Sequence, residues 1–229
     1  MTMPAASVTF SSPAAASESI VQPCAVCAGQ TLRRLRPEDV SVLTAHFKRL
    51  DPTTRRLRFG NAVNDAFLAR YAALALGEDA VVKGVFVDGV LRGVGELRFL
   101  DPRRMQGEAA FSLEADFQGR GHGSRLFEGV LLAARNRGVH KLFLTCLREN
   151  TRMQKIAARH GADLSFVAGD VNAELRRPYA DAASLAAEMA QESEAFVFAM
   201  LDWRRSRANA FLASLRRLAG GISPFPARH

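Results

Sequence analysis

The segment Gln118-Gly119-Arg120-Gly121-His122-Gly123 has residue types and spacing that can do chemistry. Its glycines allow a backbone to approach a ligand closely, and a stretch with helical periodicity follows at once. The start of a helix offers N–H groups without intrahelical partners, together with the positive end of the helix dipole. These features make a phosphate cradle, and Arg120 and Arg125 add charge-assisted donors. Two familiar cradles fail on spacing. The P-loop requires a lysine that the loop lacks, and the dinucleotide fingerprint G-x-G-x-x-G requires its third glycine at 124, whereas it stands at 123.

The residues ahead of the loop alternate. Ala109, Phe111, Leu113 and Ala115 fall on one face of a strand over Glu108–Ala115, and Glu108, Ala110, Ser112 and Glu114 fall on the other. A core face thus backs a face bearing two carboxylates. A carboxylate whose surroundings tune its pKa serves as a general base. Glu108 is the candidate, and Glu96 on the preceding strand is the reserve. The competing reading of Glu108 is a strand-end carboxylate in a surface ion pair. Other reactive side chains score lower. Cys146 lies in an apolar strand, His160 is a helix-end residue, and His122 sits where a helix start disfavours positive charge. Cys24-Ala-Val-Cys27 has no second C-x-x-C or paired His, so it reads as incidental and no metal site is expected.

The elements around these residues follow from periodicity and punctuation. Thr31–Arg36 is a strand stopped by Pro37. Helical spacing covers Glu38–Leu50, stopped by Pro52, and Asn64–Leu76, stopped by Gly77. Ala80–Val87 and Val90–Leu100 flank Asp88-Gly89, a hairpin signal. A helix follows the glycine loop to Arg137, with Gly138 as its stop. Lys141–Leu147 is a buried strand, and Asn150 caps a helix that ends at Gly161. Leu164–Ala168 and Val171–Leu175 form a second hairpin. The order β-α-α-β-β-β-α-β-α-β-β gives an α/β fold with a mixed sheet. Asp181 to Ala219 has neither Gly nor Pro and reads as a helical appendage, with Phe196–Leu201 alternatively a strand. Residues 1–30 read as a disordered tail with no basic start or apolar stretch, so the expected location is cytoplasmic.

The chain has 229 residues, 48% of them hydrophobic, enough to build a core, and no apolar run of membrane-spanning length. Its net charge of +8 rests on 27 Arg against 4 Lys. Arg204, Arg205, Arg207, Arg216 and Arg217, with Trp203, Phe211 and Leu215, raise nucleic acid or anionic lipid as a partner. A docking helix with a solvated basic face is the favoured reading.

The loop Gln118–Gly123 matches the Q/R-x-x-G-x-G/A signature of the GNAT acyltransferases. Asn150, Met153, Ile156 and Gly161 fit that family's N-x-x-A-x-x-L-x-x-x-x-G segment in spacing. The chain therefore resembles a GNAT N-acyltransferase, clearly over Glu108–Ala162 and in outline over Thr31–Leu175. The resemblance implies a mostly antiparallel central sheet flanked by helices, in a domain over residues 31–177 with a helical extension over 178–229. It also implies acetyl-CoA as acyl donor. The amides of Gln118, Gly119, Arg120, Gly121, His122, Gly123 and Ser124 would hold the pyrophosphate. The backbone of Leu113, Glu114 and Ala115 would bond the pantetheine arm, and Asn150 would lie beside it. Glu108-Ala109-Ala110-Phe111-Ser112-Leu113 resembles the E-F-A-V-V-V strand of the bacterial protein lysine acetyltransferase branch, in which the leading Glu is catalytic. A strand bulge usual in the family would turn Glu114 so that only its backbone matters. The family's general-acid Tyr has no counterpart, because its position is Ala157.

Three functions follow as expectations. The first is acetylation of a protein lysine by direct attack with a Glu base, and the second is acetylation of a small amine such as a polyamine, amino acid or antibiotic. The third is a non-catalytic acyl-CoA sensor, since a fold alone does not fix an activity. The expected partners are acyl-CoA and an amine acceptor, with the chain a monomer or homodimer.

Overall fold

The computed structural model describes residues 30–167, 169–176, 179–197 and 200. The tail with Cys24 and Cys27, and the basic segment Arg204–Arg217, lie outside these residues. The strands are β1 (Gln30–Arg34), β2 (Ala80–Val87), β3 (Val90–Phe99), β4 (Gln106–Leu113), β5 (Lys141–Leu147), β6 (Asp163–Val167) and β7 (Asp170–Arg176). They form one seven-stranded sheet in the order β1-β2-β3-β4-β5-β7-β6. Every neighbouring pair is antiparallel except β4 and β5, which run parallel.

The helices are α1 (Val40–Arg49), α2 (Pro52–Phe59), α3 (Asp65–Ala75), α4 (His122–Asn136) and α5 (Thr151–Arg159), with α6 spanning 182–197. Burial divides them between the two faces of the sheet. Leu97, Ala109, Phe127, Val130, Leu142 and Ala157 form the core between the sheet and α4–α5. Leu43, Phe47, Leu68, Ala72, Val82 and Val94 form the core under α1 and α3. The result is a three-layer α/β/α fold with a core on each side of the sheet.

Helix α1 ends at Arg49, ahead of Pro52 as expected, but the sequence expectation placed no helix at α2 and took Pro52 for a stop alone. Pro52 is instead the first residue of α2, and the Asp51 side chain accepts from the Thr54 N–H at 2.9 Å. Asp followed by Pro is a helix-start signal, because a first-turn N–H has no partner to lose. The error matters because α2 crosses β4 and carries Thr54, Arg56 and Arg58 into the site.

Helix α6 docks through polar groups. Glu188 takes hydrogen bonds from Asn136 at 2.8 Å and Arg137 at 2.9 Å, and faces the buried Lys83 ammonium at 3.4 Å. Phe196 and Met200, which recur at helical spacing, are exposed. Burial pushes the Glu188 carboxyl up, but Asn136, Arg137 and Lys83 outweigh it and hold it below its usual value. Glu188→Ala leaves Lys83 buried with a weakened partner set, so it is expected to cost about 3 kcal/mol in denaturant unfolding. A carboxyl depressed on folding stabilises above its unfolded pKa. In the wild type this contribution is therefore lost as pH falls through the folded value, and Glu188→Gln should flatten that acid limb.

Candidate active site

The parallel pairing of β4 with β5 is short. Gln106, Gly107 and Glu108 pair with Lys141, Leu142 and Phe143, and the ladder ends there. Beyond Glu108 the two strands part, and a cleft opens toward the C-terminal end of β4. On the other side β4 stays paired with β3 from Gly107 to Leu113 without a break in register. The Glu114 N–H continues that ladder to the Arg92 carbonyl at 3.0 Å, which sets its phase. By the alternation of an antiparallel ladder, Glu108, Ala110 and Ser112 bond to β3, while Ala109, Phe111 and Leu113 turn their main-chain groups toward the cleft.

The glycine loop stands at the mouth of this cleft. After a short 3₁₀ turn over Ala115–Phe117, Gly119 and Gly121 take left-handed conformations with φ of 76° and 86°. Gly121 is the N-cap of α4, and a Cβ placed at either glycine would point into open space. The amides of residues 119–124 donate to no backbone carbonyl among the described residues, whereas the Gln118 amide donates to Ala115 O at 3.1 Å. The amides left free to take an anion are therefore those of Gly119, Arg120, Gly121, His122, Gly123 and Ser124, and not that of Gln118. Gln118 contributes its side chain, which donates to Leu113 O at 2.9 Å and accepts from Arg152. Gly123 lets α5 approach α4, since a Cβ there would stand 3.2 Å from Ile156 Cδ1.

His122 is buried beneath the loop. Burial, with Arg120 and Arg125 nearby, lowers its pKa, so the ring stays neutral at the helix start. Asn150 caps α5 by accepting from the Met153 N–H at 3.2 Å. Ala157, at the position where the family places an acid, is fully buried in the core. Cys146 is buried, and burial followed by the charge of Asp170 pushes its thiol up, away from reactivity.

The face of the cleft beneath α1 and α2 carries the polar groups. Glu108 is exposed at the point where the strands part. Glu96 sits opposite Ala110 in the ladder and is engaged: Arg58 Nη2 lies 2.6 Å from Oε1, and the Tyr71 hydroxyl donates to Oε2 at 2.7 Å. Burial alone would lower the Arg58 pKa, but the Glu96 charge outweighs it and raises it. Burial and Glu96 likewise push the Tyr71 phenol up.

Glu114 corrects the expectation that a bulge in β4 turns its side chain away. The register of β4 is regular, and the irregularity lies between β2 and β3 at Val85/Phe86. That bulge leaves Leu91 in the α1 core, while Arg92 stands opposite Glu114 by the regular β3–β4 register. The Glu114 carboxylate takes Arg49 Nε at 2.9 Å and Arg92 Nη1 at 2.8 Å, and faces His46 Nδ1 at 3.4 Å. Burial pushes this carboxyl up, but the hydrogen bonds from His46, Arg92 and Arg49 prevail and bring it to about 2. His46 Nε2 lies 3.0 Å from Ser112 Oγ. Sequence reading passed over His46, Arg49, Arg58 and Arg92. His46 falls in line with the apolar face of α1, where a histidine resembles any other core residue.

Among the described residues no group of three or more His, Cys, Asp or Glu could hold a metal ion, and no helix is long and apolar enough to cross a membrane. The model of the acetyltransferase (GNAT) domain matches residues 30–163. The fold is similar to the GNAT domain of S. lividans PAT, with 22% identity over 64% of this chain and 89% of that one and a TM-score of 0.58. It is similar to RimL, a ribosomal L7/L12 alpha-N-protein acetyltransferase in complex with coenzyme A, with 16% identity over 66% and 96% of the chains and a TM-score of 0.53. It is also similar to yncA, a putative acetyltransferase from Salmonella typhimurium with its cofactor acetyl-CoA, with 15% identity over 68% and 99% and a TM-score of 0.52. At these identities the likeness is one of fold. No curated protein sequence matches the chain.

Proposed function

We propose, from the premise that the chain belongs to the acetyltransferase (GNAT) domain family, that it moves an acetyl group from acetyl-CoA to the side-chain amine of a protein lysine. The observation that carries this reading is the set of unpaired amides at residues 119–124 beside a cleft that opens at Glu108. The amides would hold the diphosphate, with Arg120 and Arg125 adding charge. The main chain of Phe111 and Leu113 would bond the pantetheine arm, after Gln118 releases the Leu113 carbonyl. Ala115, in the 3₁₀ turn, would flank the arm, and Asn150 would border it from α5. An N–H on the open edge of β4 would stabilise the oxyanion as the amine attacks.

The thioester would then lie against the exposed Glu108, whose carboxylate takes the first proton from the incoming ammonium. Glu96 is held by Arg58, and Glu114 by Arg49 and Arg92. Two of the three carboxylates that could draw a cationic small amine are thus neutralised, which favours a lysine over a polyamine. RimL and yncA, of similar fold, carry coenzyme A and acetyl-CoA, and RimL is a protein acetyltransferase. The test is calorimetry with acetyl-CoA, followed by thiol release over lysine peptides and small amines. Saturable binding with peptide-dependent release is expected. Binding without release on any amine would make the protein a sensor, and preference for small amines would move the acceptor.

A further inference from the structure

Acetylation removes two protons from nitrogen. The reaction R-NH₃⁺ + acetyl-S-CoA → R-NH-acetyl + HS-CoA + H⁺ sends one of them to solvent and one to sulfur. Exposed Glu108 suits the first transfer, since a carboxylate in contact with water discharges its proton readily. The second needs a carrier between nitrogen and sulfur. Ala157 supplies none, and Tyr71 spends its hydroxyl proton on Glu96.

We propose that Ser112, His46 and Glu114 form a relay that takes the second proton from the acceptor nitrogen and delivers it to the departing sulfur. The inference rests on the acetyl-transfer reading above. Its geometry is a hydroxyl, an imidazole and a carboxylate in series, with Ser112 Oγ 3.0 Å from His46 Nε2 and His46 Nδ1 3.4 Å from Glu114 Oε1. All three groups are buried, and His46 is fully so. Glu114 is ionised and can only accept, so Nδ1 carries the imidazole proton and Nε2 accepts from the Ser112 hydroxyl. That tautomer is the one that can receive a proton. The groups facing the ring are Ser112 from β4, Glu114 just past the end of that strand, Arg49 from its own helix, and Arg92 from β3, which reaches it through Glu114. Burial lowers the His46 pKa, followed by an opposing pull from Glu114, so the ring rests neutral.

Ser112 lies between Phe111 and Leu113, whose main-chain groups face the cleft. Along the face on which Ser112 stands, burial lessens from Ser112 through half-buried Ala110 to exposed Glu108, so the acceptor would approach from the Glu108 end. Ala110, with only a methyl group, lies between Glu108 and Ser112 on that face. As the amine attacks, the C–N bond forms and the nitrogen passes its proton to Ser112 Oγ while Ser112 passes its own to His46 Nε2. Glu114 stabilises the imidazolium. The C–S bond then breaks, the thiolate takes the Ser112 proton, and His46 returns the borrowed proton to Ser112. Ser112 is the catalytic residue, and His46 and Glu114 are positioning residues.

The test is single-turnover acetyl transfer to the best lysine peptide of the thiol-release screen, for wild type, Ser112→Ala and Ser112→Thr, with the acetyl-CoA melting shift recorded for each. Ser112→Ala is expected to keep the melting shift and lose about a hundredfold in rate, within the usual range for general acid–base groups. Ser112→Thr, which restores the hydroxyl, is expected to recover most of that loss. The wild type should slow in deuterium oxide with a curved proton inventory, because two protons move together. A role confined to bracing α1 against β4 would shift the melting temperature but not the inventory. A Ser112→Ala rate within twofold of wild type, or a linear inventory, overturns the relay and leaves acetyl transfer standing. Absence of wild-type transfer to every amine overturns both.

Discussion

Gly121→Val should abolish the rise in melting temperature that acetyl-CoA gives the wild-type protein. Gly121 has φ of 86°, where a β-branched residue costs about 1–2 kcal/mol. The larger effect is on binding. A Cβ at this position meets no protein atom within 4 Å and would stand in open space at the N-cap of α4, where the ligand's diphosphate is proposed to lie. A valine side chain there stands between those amides and the diphosphate. Losing two hydrogen bonds to a charged group, at about 1.5–3 kcal/mol each, lowers affinity more than about a hundredfold. Gly138→Val is the matched control. Gly138 has φ of 78° and equally open surroundings, but it follows the C-terminal end of α4. It should lose similar stability and keep the ligand-induced shift, which separates backbone strain from the blocked cradle. Retained binding in Gly121→Val, measured by calorimetry, would place the diphosphate elsewhere.

Glu108→Gln should leave acetyl-CoA binding intact and lower turnover about a hundredfold near neutral pH, the scale of a lost general base. Glutamine keeps the shape and cannot take a proton. The deficit should shrink as pH rises toward the free lysine pKa of about 10.4, because the acceptor then arrives already neutral. A loss independent of pH would point to misplacement of the acceptor. Unchanged turnover would remove Glu108 from the reaction and transfer its task to Ser112 and His46. Glu108 and Ser112 are expected to differ in one readout: only the serine variant should erase the curvature of the proton inventory.

Short-range signals in the sequence determined the elements that hold the cradle. The alternation of Ala109, Phe111 and Leu113, the glycines at 119 and 121, and the Asn150 cap are each local. They depend on the pleat of a strand, on backbone freedom at positive φ and on the orphan amides of a helix start. Residues within a few positions of one another suffice to specify them. The break at Asp51-Pro52 was equally local, and its correct reading as a cap followed by a first-turn proline yields α2.

Only the tertiary structure decided which partners each titrating group meets. His46 and Glu114 are 68 positions apart, and Arg58 and Glu96 are 38 apart. Their pairing depends on sheet register and on how α1 and α2 settle over β4. The β3–β4 register that sets Arg92 opposite Glu114 leaves no mark in composition or periodicity. Periodicity tells which side chains turn inward, while the charge state of a buried group depends on neighbours brought from distant segments, and those neighbours exist only once the layers have packed.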